Sequence, residues 1–580
     1  MKKRNVTFIV LLCAFSVLGQ TMALGQITWY DPLKHDTPVI QNQGWPGEIG
    51  RSYQRLPQRA EEKVRKSVWN LSLNATGLAL HFYTNAEQIT VRYGVTSSFA
   101  MPHMPATGKS GVDLYAIDSD GKWRVASGRY NFEDTITYTY TQLSRSKYHE
   151  QGFEYRLFLP LYNSVKWMEI GVPDSAQFSF IPRLKEKPIV VYGTSIAQGG
   201  CASRPGMGWT NILSRKLDLP VINLGFSGNG PLEKEMVDLI SELDAALVVF
   251  DCLPNMGSLL DEEVKNRTAY GVSTIKEKLD IPVLIVDHIG YRNDQTNRTT
   301  KEAADRLNRA SKEVYDSLKQ SGMKELYYLS KEDINFPEDG CVDNIHPNDL
   351  GMQAYGDAYE KSIRQILRMP TGSKKVTQPV SQRREPYIYE WKKRHHDKLG
   401  EIELASPQKV IIGNSITHYW NDEEGKENGP ESWQKYMEPR GFLNLGYGWD
   451  RIENVLWRVY HGELDGFEAD EVVLMIGTNN LGLDNREEIV EGLEFLLKQI
   501  EYRQPKATLK VVGLLPRRDK EAEVDAVNRM IEKMAIRNQY TYIEAGKELL
   551  KDGKIVESFF TDGLHPNEKG YSRTAPHLIR

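Results

Sequence analysis

Cysteine is scarce in this sequence, with four residues in 580. Cys13 lies in an N-terminal apolar run, which leaves Cys201, Cys252 and Cys341 for the rest of the chain. Three thiols allow at most one internal bridge, which excludes a fold built on a disulfide framework. No CxxC or HxxxH pair accompanies them, so no metal site is indicated. Buried thiols are the expectation, and a Cys201–Cys341 bridge is the alternative.

An excess of charge of either sign is also lacking. The chain has 73 Lys and Arg against 78 Asp and Glu, a net charge of −5. This balance gives no electrostatic attraction to nucleic acids or anionic membranes, so neither is expected as a partner. Apolar residues make up 40% and charged residues 26%, as in ordinary globular proteins.

Long apolar runs are absent except at the N-terminus. A basic start at residues 2–4 precedes the uncharged run Val6–Leu18, and small and polar residues follow. This order predicts a signal peptide over residues 1–25, cleaved near Ala23 or a few residues later. The run is shorter than the roughly 20 residues of a membrane span. A lipoprotein signal at Cys13 is disfavoured by the bulky residue before it. We therefore expect a secreted or periplasmic protein with no membrane span.

Residues 26–183 have few long helical patterns. They contain short β-branched and aromatic segments separated by turn formers, a spacing that predicts a β-sandwich. The predicted strands are Gly77–Tyr83, Gln88–Tyr93, Val112–Ile117, Thr135–Tyr140 and Phe153–Leu159.

In residues 184–369 short apolar runs alternate with helical patterns. Such alternation predicts a parallel sheet with helices on both faces and right-handed crossovers. The predicted strands are Pro188–Gly193, Val221–Leu224, Ala246–Phe250, Pro282–Asp287 and Leu326–Leu329. The predicted helices are Trp209–Leu217, Leu232–Leu243 and Lys301–Ser321.

Residues 370–385 are polar and rich in turn formers, which is typical of a linker. The alternation of strands and helices then returns in residues 386–580, so the last part repeats the middle one. Its predicted strands are Lys409–Ile412, Phe442–Leu445, Val472–Ile476 and Leu509–Leu515, and its helices lie near Glu487–Ile500 and Glu521–Ile536.

A serine follows the first strand of each α/β part. Ser195 comes after Tyr192-Gly193-Thr194, and Ser415 comes after Ile412-Gly413-Asn414. The carboxyl end of such a strand is where open α/β sheets bind their ligands. A serine nucleophile there needs a base to take its proton.

Each α/β part ends in a DxxH sequence that supplies such a base. In the first, Asp343 precedes His346, and in the second, Asp562 precedes His565. The Asp can orient the His, or a backbone group can share that task. The serine and the histidine are 151 positions apart in the first part and 150 in the second. A lone DxxH is more often a helix cap beside a surface His, but its repetition in the same order favours two Ser-His-Asp sites.

These sequences resemble the SGNH, or GDSL-like, hydrolases, whose four sequence blocks contribute Ser, Gly, Asn and His. The resemblance covers about residues 186–368 and 386–580. It implies flavodoxin-like, three-layer domains and a serine-dependent carboxylic ester hydrolase. The C-terminal part resembles the platelet-activating-factor acetylhydrolase-like branch through Asn444-Leu445-Gly446 and Asn454-Val455-Leu456-Trp457-Arg458.

The resemblance also implies an oxyanion hole in each part. Its donors are the N–H of the serine, a backbone N–H from the second block and an Asn side chain from the third. By position these residues are Gly228 and Asn255 in the first part, and Trp449 and Asn479 in the second.

The sequence departs from the family pattern in two places. Thr194 and Asn414 stand where the family has Asp before the serine, but that residue is not part of the triad. Trp449 stands where the second block has Gly. A backbone N–H survives this change, but a non-Gly residue resists the backbone conformation required there and an indole crowds the pocket. A reshaped pocket or a weaker second site is therefore expected.

The β region resembles the N-terminal sandwich often fused to secreted SGNH hydrolases, through Arg55-Leu56-Pro57 and Leu159-Pro160-Leu161-Tyr162-Asn163. Its aromatic residues could stack on sugars or form its core, and its loops could border the Ser195 pocket. Positions on the loop and helix after each serine are candidates for substrate contact, although a structural role is the commoner one for such residues. They are Arg204, Trp209, His418, Trp420 and Arg451.

These expectations combine into an exported carbohydrate esterase that removes O-acetyl groups from an acetylated polysaccharide or oligosaccharide. Alternatives are esterases of O-acetylated sialic acid or peptidoglycan, or one active domain with the other as a binding or scaffold module. No metal or organic cofactor is implied.

Overall fold

The computed structural model describes residues 26–146, 148, 152–183, 186–384 and 388–580. The predicted signal peptide over residues 1–25 lies outside them. In the described ranges, none of the helices combines the length and the apolar character that crossing a bilayer requires.

The N-terminal region is a sandwich of two antiparallel sheets, as the short-strand pattern predicts. One sheet has the order β1-β10-β4-β8-β7, and the other β11-β3-β9-β5-β6, with β2 beside β3. In β8 the side chains of Ile136, Tyr138 and Tyr140 point into the core between the sheets, while the intervening threonines are more exposed. The strands are β1 Ile27–Tyr30, β2 Ile40–Gln41, β3 Ala79–Thr84, β4 Gln88–Val95, β5 Asp113–Ile117, β6 Trp123–Ala126, β7 Arg129–Asn131, β8 Ile136–Thr141, β9 Phe153–Phe158, β10 Val165–Pro173 and β11 Phe178–Phe180.

Three short helices interrupt this region: α1 Pro46–Ile49, α2 Lys66–Ser72 and α3 Ala106–Lys109. Val68 and Trp69 of α2 are not part of the sandwich core. They pack against the parallel sheet of the middle region, which follows in sequence. The N-terminal region therefore forms part of the helical layer on one face of that sheet.

The middle region is a five-stranded parallel sheet of order β13-β12-β14-β15-β16. Numbered within the region, the order is 2-1-3-4-5, the flavodoxin-like arrangement. The strands are β12 Ile189–Gly193, β13 Val221–Gly225, β14 Leu247–Asp251, β15 Val283–Val286 and β16 Leu326–Leu329. The helices are α4 Ser195–Gln198, α5 Trp209–Leu217, α6 Lys234–Ile240, α7 Asp261–Lys278, α8 Arg298–Gln320, α9 Lys331–Ile334 and α10 Asp349–Ile366.

The last region repeats this topology with the order β18-β17-β19-β20-β21. Its strands are β17 Lys409–Gly413, β18 Phe442–Gly446, β19 Glu471–Met475, β20 Thr508–Val512 and β21 Thr541–Ile543, followed by the hairpin β22 Leu550–Lys551 and β23 Lys554–Ile555. Its helices are α11 Trp391–Ala405, α12 Ser415–Asn421, α13 Pro430–Tyr436, α14 Ile452–Tyr460, α15 Arg486–Arg503, α16 Glu521–Asn538 and α17 Glu568–Leu578.

The two parallel sheets share one apolar core. A single cluster of buried side chains includes Leu213 and Tyr359 of the middle region together with Val459 and Leu493 of the last. The polar composition of residues 370–385 predicted a linker, yet most described residues from 376 to 384 are buried, including Val376. Charged side chains can be buried here because carboxylates from neighbouring regions pair with them.

Those pairs form a buried ion cluster where the three regions meet. Glu154 of β9 accepts hydrogen bonds from Arg156 at 2.8 Å and from Arg383 Nε at 2.9 Å. Arg156 also reaches Asp218, just after α5, at 2.8 Å, and Lys392 of α11 lies 3.5 Å from the same carboxylate. The cluster therefore links the sandwich to both parallel-sheet regions.

Candidate active sites

Each predicted serine lies at the carboxyl end of the first strand of its parallel sheet. Ser195 is the first residue of α4, directly after β12, and Ser415 is the first residue of α12, directly after β17. The preceding side chain caps each helix: Thr194 accepts the Ile196 N–H at 3.3 Å, and Asn414 accepts the Ile416 N–H. β12 pairs with β13 on one side and β14 on the other, as β17 does with β18 and β19. The strand order therefore reverses at this strand, and open α/β sheets bind ligands in the crevice at such a point.

The first site brings Ser195, His346 and Asp343 together. Ser195 Oγ lies 3.0 Å from His346 Nε2, and His346 Nδ1 lies 2.8 Å from Asp343 Oδ2. The other carboxylate oxygen accepts the backbone N–H groups of Ile345 and His346 at 2.9 and 2.8 Å. The Asp side chain is thereby fixed, and its remaining oxygen holds the imidazole towards the serine.

The second site repeats this geometry. Ser415 Oγ lies 2.9 Å from His565 Nε2, and His565 Nδ1 lies 2.7 Å from Asp562 Oδ2. Asp562 Oδ1 accepts the backbone N–H groups of Leu564 and His565 at 2.9 and 2.8 Å. The two serines are buried to a similar extent, with 8% exposure for Ser195 and 6% for Ser415.

Both carboxylates are held in the ionised form that this role requires. Burial alone would raise the pKa of Asp343, but hydrogen bonds from the backbone and ring of His346 hold the pKa below its ordinary value. Burial likewise acts to raise the pKa of Asp562, and hydrogen bonds from His565 again outweigh it. A negative carboxylate stabilises the imidazolium that forms when the histidine takes a proton.

The second-block backbone has the same conformation in both regions. Phe226 N–H donates to Gly193 O at 3.0 Å, and Tyr447 N–H donates to Gly413 O at 3.1 Å, which makes the residues two positions later equivalent. They are Gly228, with φ of 66°, and Trp449, with φ of 64°. The expectation that Trp would resist the backbone conformation required there is therefore not met, and its indole, 45% exposed, forms part of the pocket wall.

The two predicted Asn residues are held differently. Asn255 Oδ1 accepts the Gly230 N–H at 3.0 Å, which leaves its NH2 group as the end that can donate. Asn479 Nδ2 donates to Asp450 O at 3.0 Å. An amide nitrogen has two N–H bonds, so this contact uses one of them.

A cavity of about 470 Å³ opens at the second triad. Its walls include Ser415, Asp562, His565, Trp449 and Asn479, so all five residues predicted for that site border one space. Further wall residues are Ile388, Tyr419, Gly425, Lys426, Glu427, Asn428, Arg517, Thr561 and Leu564.

Most of the candidate substrate-contact residues have structural positions instead. Trp209 and Trp420 are fully buried, and Arg204 pairs with Asp113 of the sandwich. His418 is also fully buried, and its Nδ1 accepts the Gly448 N–H at 3.1 Å, next to Trp449.

Arg451 likewise contacts a neighbouring region. Its guanidinium lies 3.3 Å from Asp120, in the turn between β5 and β6, rather than on the cavity wall. A residue that follows a catalytic serine in sequence can therefore be committed to packing.

Several neighbours of the sites were not predicted as site residues, although Tyr162 lies in a sequence that marked the sandwich. The His103 ring lies 5.7 Å from that of His346, and the Tyr162 hydroxyl donates to Ser195 O at 3.1 Å. Both belong to the sandwich, so its loops border the first site. At the second site the Tyr419 ring lies 5.8 Å from that of His565.

The contact of Arg204 with the sandwich does involve a recognisable sequence, Gly111-Val112-Asp113-Leu114-Tyr115. Asp113 accepts the Gly206 N–H at 2.9 Å, and the Tyr115 hydroxyl accepts from Arg204 at 2.8 Å. This short sequence therefore joins the sandwich to the loop after the first serine, and it was the available signal for that interface.

The three cysteines in the described ranges, Cys201, Cys252 and Cys341, are unbridged, so the alternative Cys201–Cys341 disulfide is not formed. Burial raises the pKa of Cys201 to about 12, which keeps this thiol neutral. In the described residues, His103, Cys201 and His346 form the one group whose potential ligand atoms lie within 4.8 Å of one another. A metal ion there would compete with Ser195 for the His346 ring, so we assign none to the reaction.

Comparison with known proteins gives a family match for each of the three regions. The GDSL-like lipase/acylhydrolase family matches residues 186–364 and, separately, residues 411–573. The N-terminal part of SGNH-hydrolase-type esterases matches residues 27–178. A GDSL-like lipase of known structure from Bacteroides ovatus is 30% identical, with a TM-score of 0.54, over 59% of this chain and 98% of that one. The chain belongs to the SGNH hydrolase family.

Curated relatives of this SGNH hydrolase include platelet-activating factor acetylhydrolase IB subunits. Human subunit alpha1 is 29% identical over 188 residues, which are 31% of this chain and 78% of that protein. Rat subunit alpha2 is 29% identical over 195 residues, or 32% and 81% of the two chains. The family assignment makes the protein an ester hydrolase with two SGNH domains in tandem.

Proposed function

We propose that this SGNH hydrolase is an exported carbohydrate esterase that removes O-acetyl groups from polysaccharides at two active sites. The observation that supports it best is the repeated Ser-His-Asp arrangement, with serine–histidine distances of 3.0 and 2.9 Å. Ser195, His346 and Asp343 would serve one site, and Ser415, His565 and Asp562 the other.

The proposed reaction proceeds through an acyl-enzyme. The serine Oγ attacks the ester carbonyl while histidine Nε2 takes its proton. The negative oxygen is held by the serine N–H, the N–H of Gly228 or Trp449, and the amide of Asn255 or Asn479. The histidine returns the proton to the departing sugar hydroxyl. Water then repeats the attack on the acyl group and releases acetate and the serine.

A sugar substrate is supported by the walls of the second cavity. An exposed indole beside the serine offers a flat apolar surface on which a sugar ring can stack, and Asn428 and Thr561 offer polar contacts. A small acyl group fits a space of about 470 Å³ that must also admit the sugar. Export follows from the predicted signal peptide and belongs to the proposal.

Serine substitutions test the proposal directly. A fluorophosphonate probe is expected to label wild type at two serines, S195A at Ser415, and S415A at Ser195. Each single variant should retain acetate release through the remaining site, and the double variant should lose at least about 10³-fold. S214A is the control, since Ser214 is also 8% exposed and its hydroxyl donates to the Leu219 carbonyl at 2.7 Å, away from both triads.

Wild type and the serine variants are assayed on three test substrates: an acetylated plant cell-wall glycan, an O-acetylated sialic acid conjugate and O-acetylated peptidoglycan. Released acetate is measured in each case. The proposal expects the plant glycan to be the best substrate. Full activity in the double variant would show that neither serine is the nucleophile. Labelling of a single serine would make the silent domain a binding or scaffold module.

A further inference from the structure

The loop after the fourth strand carries a different side chain at equivalent positions of the two domains. In the first domain this loop follows β15, and in the second it follows β20. One hydrogen bond aligns them: Arg292 N–H donates to Asn344 O, and Arg518 N–H donates to Gly563 O, both at 2.9 Å. Each carbonyl lies two residues before the site histidine, so the residues before the two arginines are equivalent.

Those equivalent residues differ in charge. The first domain has Tyr291, whose ring lies 4.7 Å from the ring of His288 and whose pKa burial raises. The second domain has Arg517, which forms part of the wall of the cavity that contains Ser415. The equivalent positions thus hold a neutral ring in the first domain and a permanent cation in the second.

Arg517 is half-buried, and within the described ranges no carboxylate pairs with it. Its neighbour Arg518 does have a carboxylate partner, because two guanidinium nitrogens donate to Glu557 at 2.8 and 2.6 Å. Partly burying a cation without a partner costs free energy, which an anion entering the cavity would recover. A guanidinium binds a carboxylate through two parallel hydrogen bonds.

The other charged groups of this cavity do not neutralise the positive charge of Arg517. Lys426 and Glu427 are adjacent, exposed and of opposite sign, so water and salt screen them. The Asp562 carboxylate is committed to His565. Trp449 completes the surroundings as an exposed aromatic surface in the same cavity.

We propose that Arg517 and Trp449 form a subsite for an acidic sugar residue, with the guanidinium on the uronate carboxylate and the indole against the ring. The second site then prefers acetyl esters on uronate-containing polysaccharides, and the first, with Tyr291, prefers neutral ones. This inference rests on the proposed carbohydrate esterase function.

The test compares two substrates in the S195A background, where only the second site can turn over. An acetylated uronate-containing oligosaccharide and an acetylated neutral one are hydrolysed in parallel, and the ratio of their kcat/KM values is measured. We expect a ratio of about tenfold or more for the acidic substrate, falling as salt screens the attraction. R517Y, which installs the residue of the first domain, should bring the ratio close to one.

R518Q is the matched control, because it removes a neighbouring cation that already has a carboxylate partner. It should keep the preference. A ratio near one in the S195A background, or a preference that R517Y retains, would overturn the subsite.

A binding measurement separates this inference from the esterase function. A non-acetylated uronate oligosaccharide is titrated calorimetrically into the S195A/S415A variant, with and without R517Y. Binding that weakens about tenfold or more in R517Y supports the subsite even if no polysaccharide releases acetate. Equal binding contradicts it even if both substrates are hydrolysed.

Discussion

The two SGNH domains share their reacting atoms and differ in what surrounds them. Serine, histidine and aspartate distances agree between the domains within 0.1 Å, and both second-block residues have φ near 65°. Around them, His103 lies beside the histidine of the first site, whereas Trp449, Arg517 and Tyr419 border the second. The duplicated domain therefore keeps its Ser-His-Asp geometry while the side chains on its surrounding loops differ.

The largest effect is expected from removing the negative charge of the aspartate in each Ser-His-Asp group. D343N and D562N replace the acceptor of the histidine N–H, so the imidazole loses the orientation and charge that favour proton uptake. We expect kcat to fall by about 10³–10⁴-fold at both sites. Each variant is assayed in a background where the other serine is alanine. A loss of less than tenfold at one site alone would mean that another group orients that histidine.

The oxyanion donors should give the next largest effect. N255A and N479A are expected to lower kcat by about 10²–10³-fold with little change in KM, because the lost contact forms mainly in the transition state. N255D is a sharper variant, since it still accepts the Gly230 N–H but can no longer donate. Activity in N255D close to that of wild type would show that Asn255 positions the Gly230 loop and does not hold the oxyanion.

A smaller difference lies beneath the sites, where Asp251 ends β14 and Met475 ends β19 at the equivalent position. Burial raises the pKa of Asp251 to about 7, whereas an unfolded Asp titrates near pH ~3.9. Folding thus favours the protonated form of Asp251. The carboxyl does not lower the free energy of unfolding below about pH 4, lowers it increasingly as the pH rises from there to about 7, and adds little further loss above pH 7.

D251N removes this pH-dependent cost while keeping the shape of the side chain. The Tm of D251N minus that of wild type should therefore increase between about pH 5 and pH 8. The shift is about 2–4 °C for each kcal/mol if a unit of about 150–250 residues unfolds cooperatively, and smaller for a larger unit. Calorimetric scans at both pH values provide the measurement, and a difference that does not change with pH would contradict the raised pKa.

Sequence patterns predicted the three-part architecture because the spacing of apolar residues in a strand or helix can be read from a short stretch of sequence. The strand expected at Phe153–Leu159 is Phe153–Phe158, and the helix expected at Trp209–Leu217 has those bounds in the structure. The helices α7 and α11 were missed, since their apolar residues are sparse and charged residues dominate them. Tertiary packing on the sheets stabilises such helices more than local sequence does.

The candidate sites were predictable where a motif fixed the backbone, as for Ser415 and His565. Arg517 was not, because its place on the cavity wall depends on a loop with no motif of its own. His103 was hidden for a different reason: it reaches the first site from the sandwich, far away in sequence. Contacts between separate regions have no signature in the periodicity of either one.

The buried Arg156–Glu154–Arg383 cluster has a practical consequence. Cutting the chain just before Arg383 would leave Glu154, which is 2% exposed, without one of its two arginine partners. It would also uncover half of the shared apolar core, a surface prone to aggregation. Isolated halves of this protein are consequently poor reagents, and the contribution of each serine is better measured by point substitution in the intact chain.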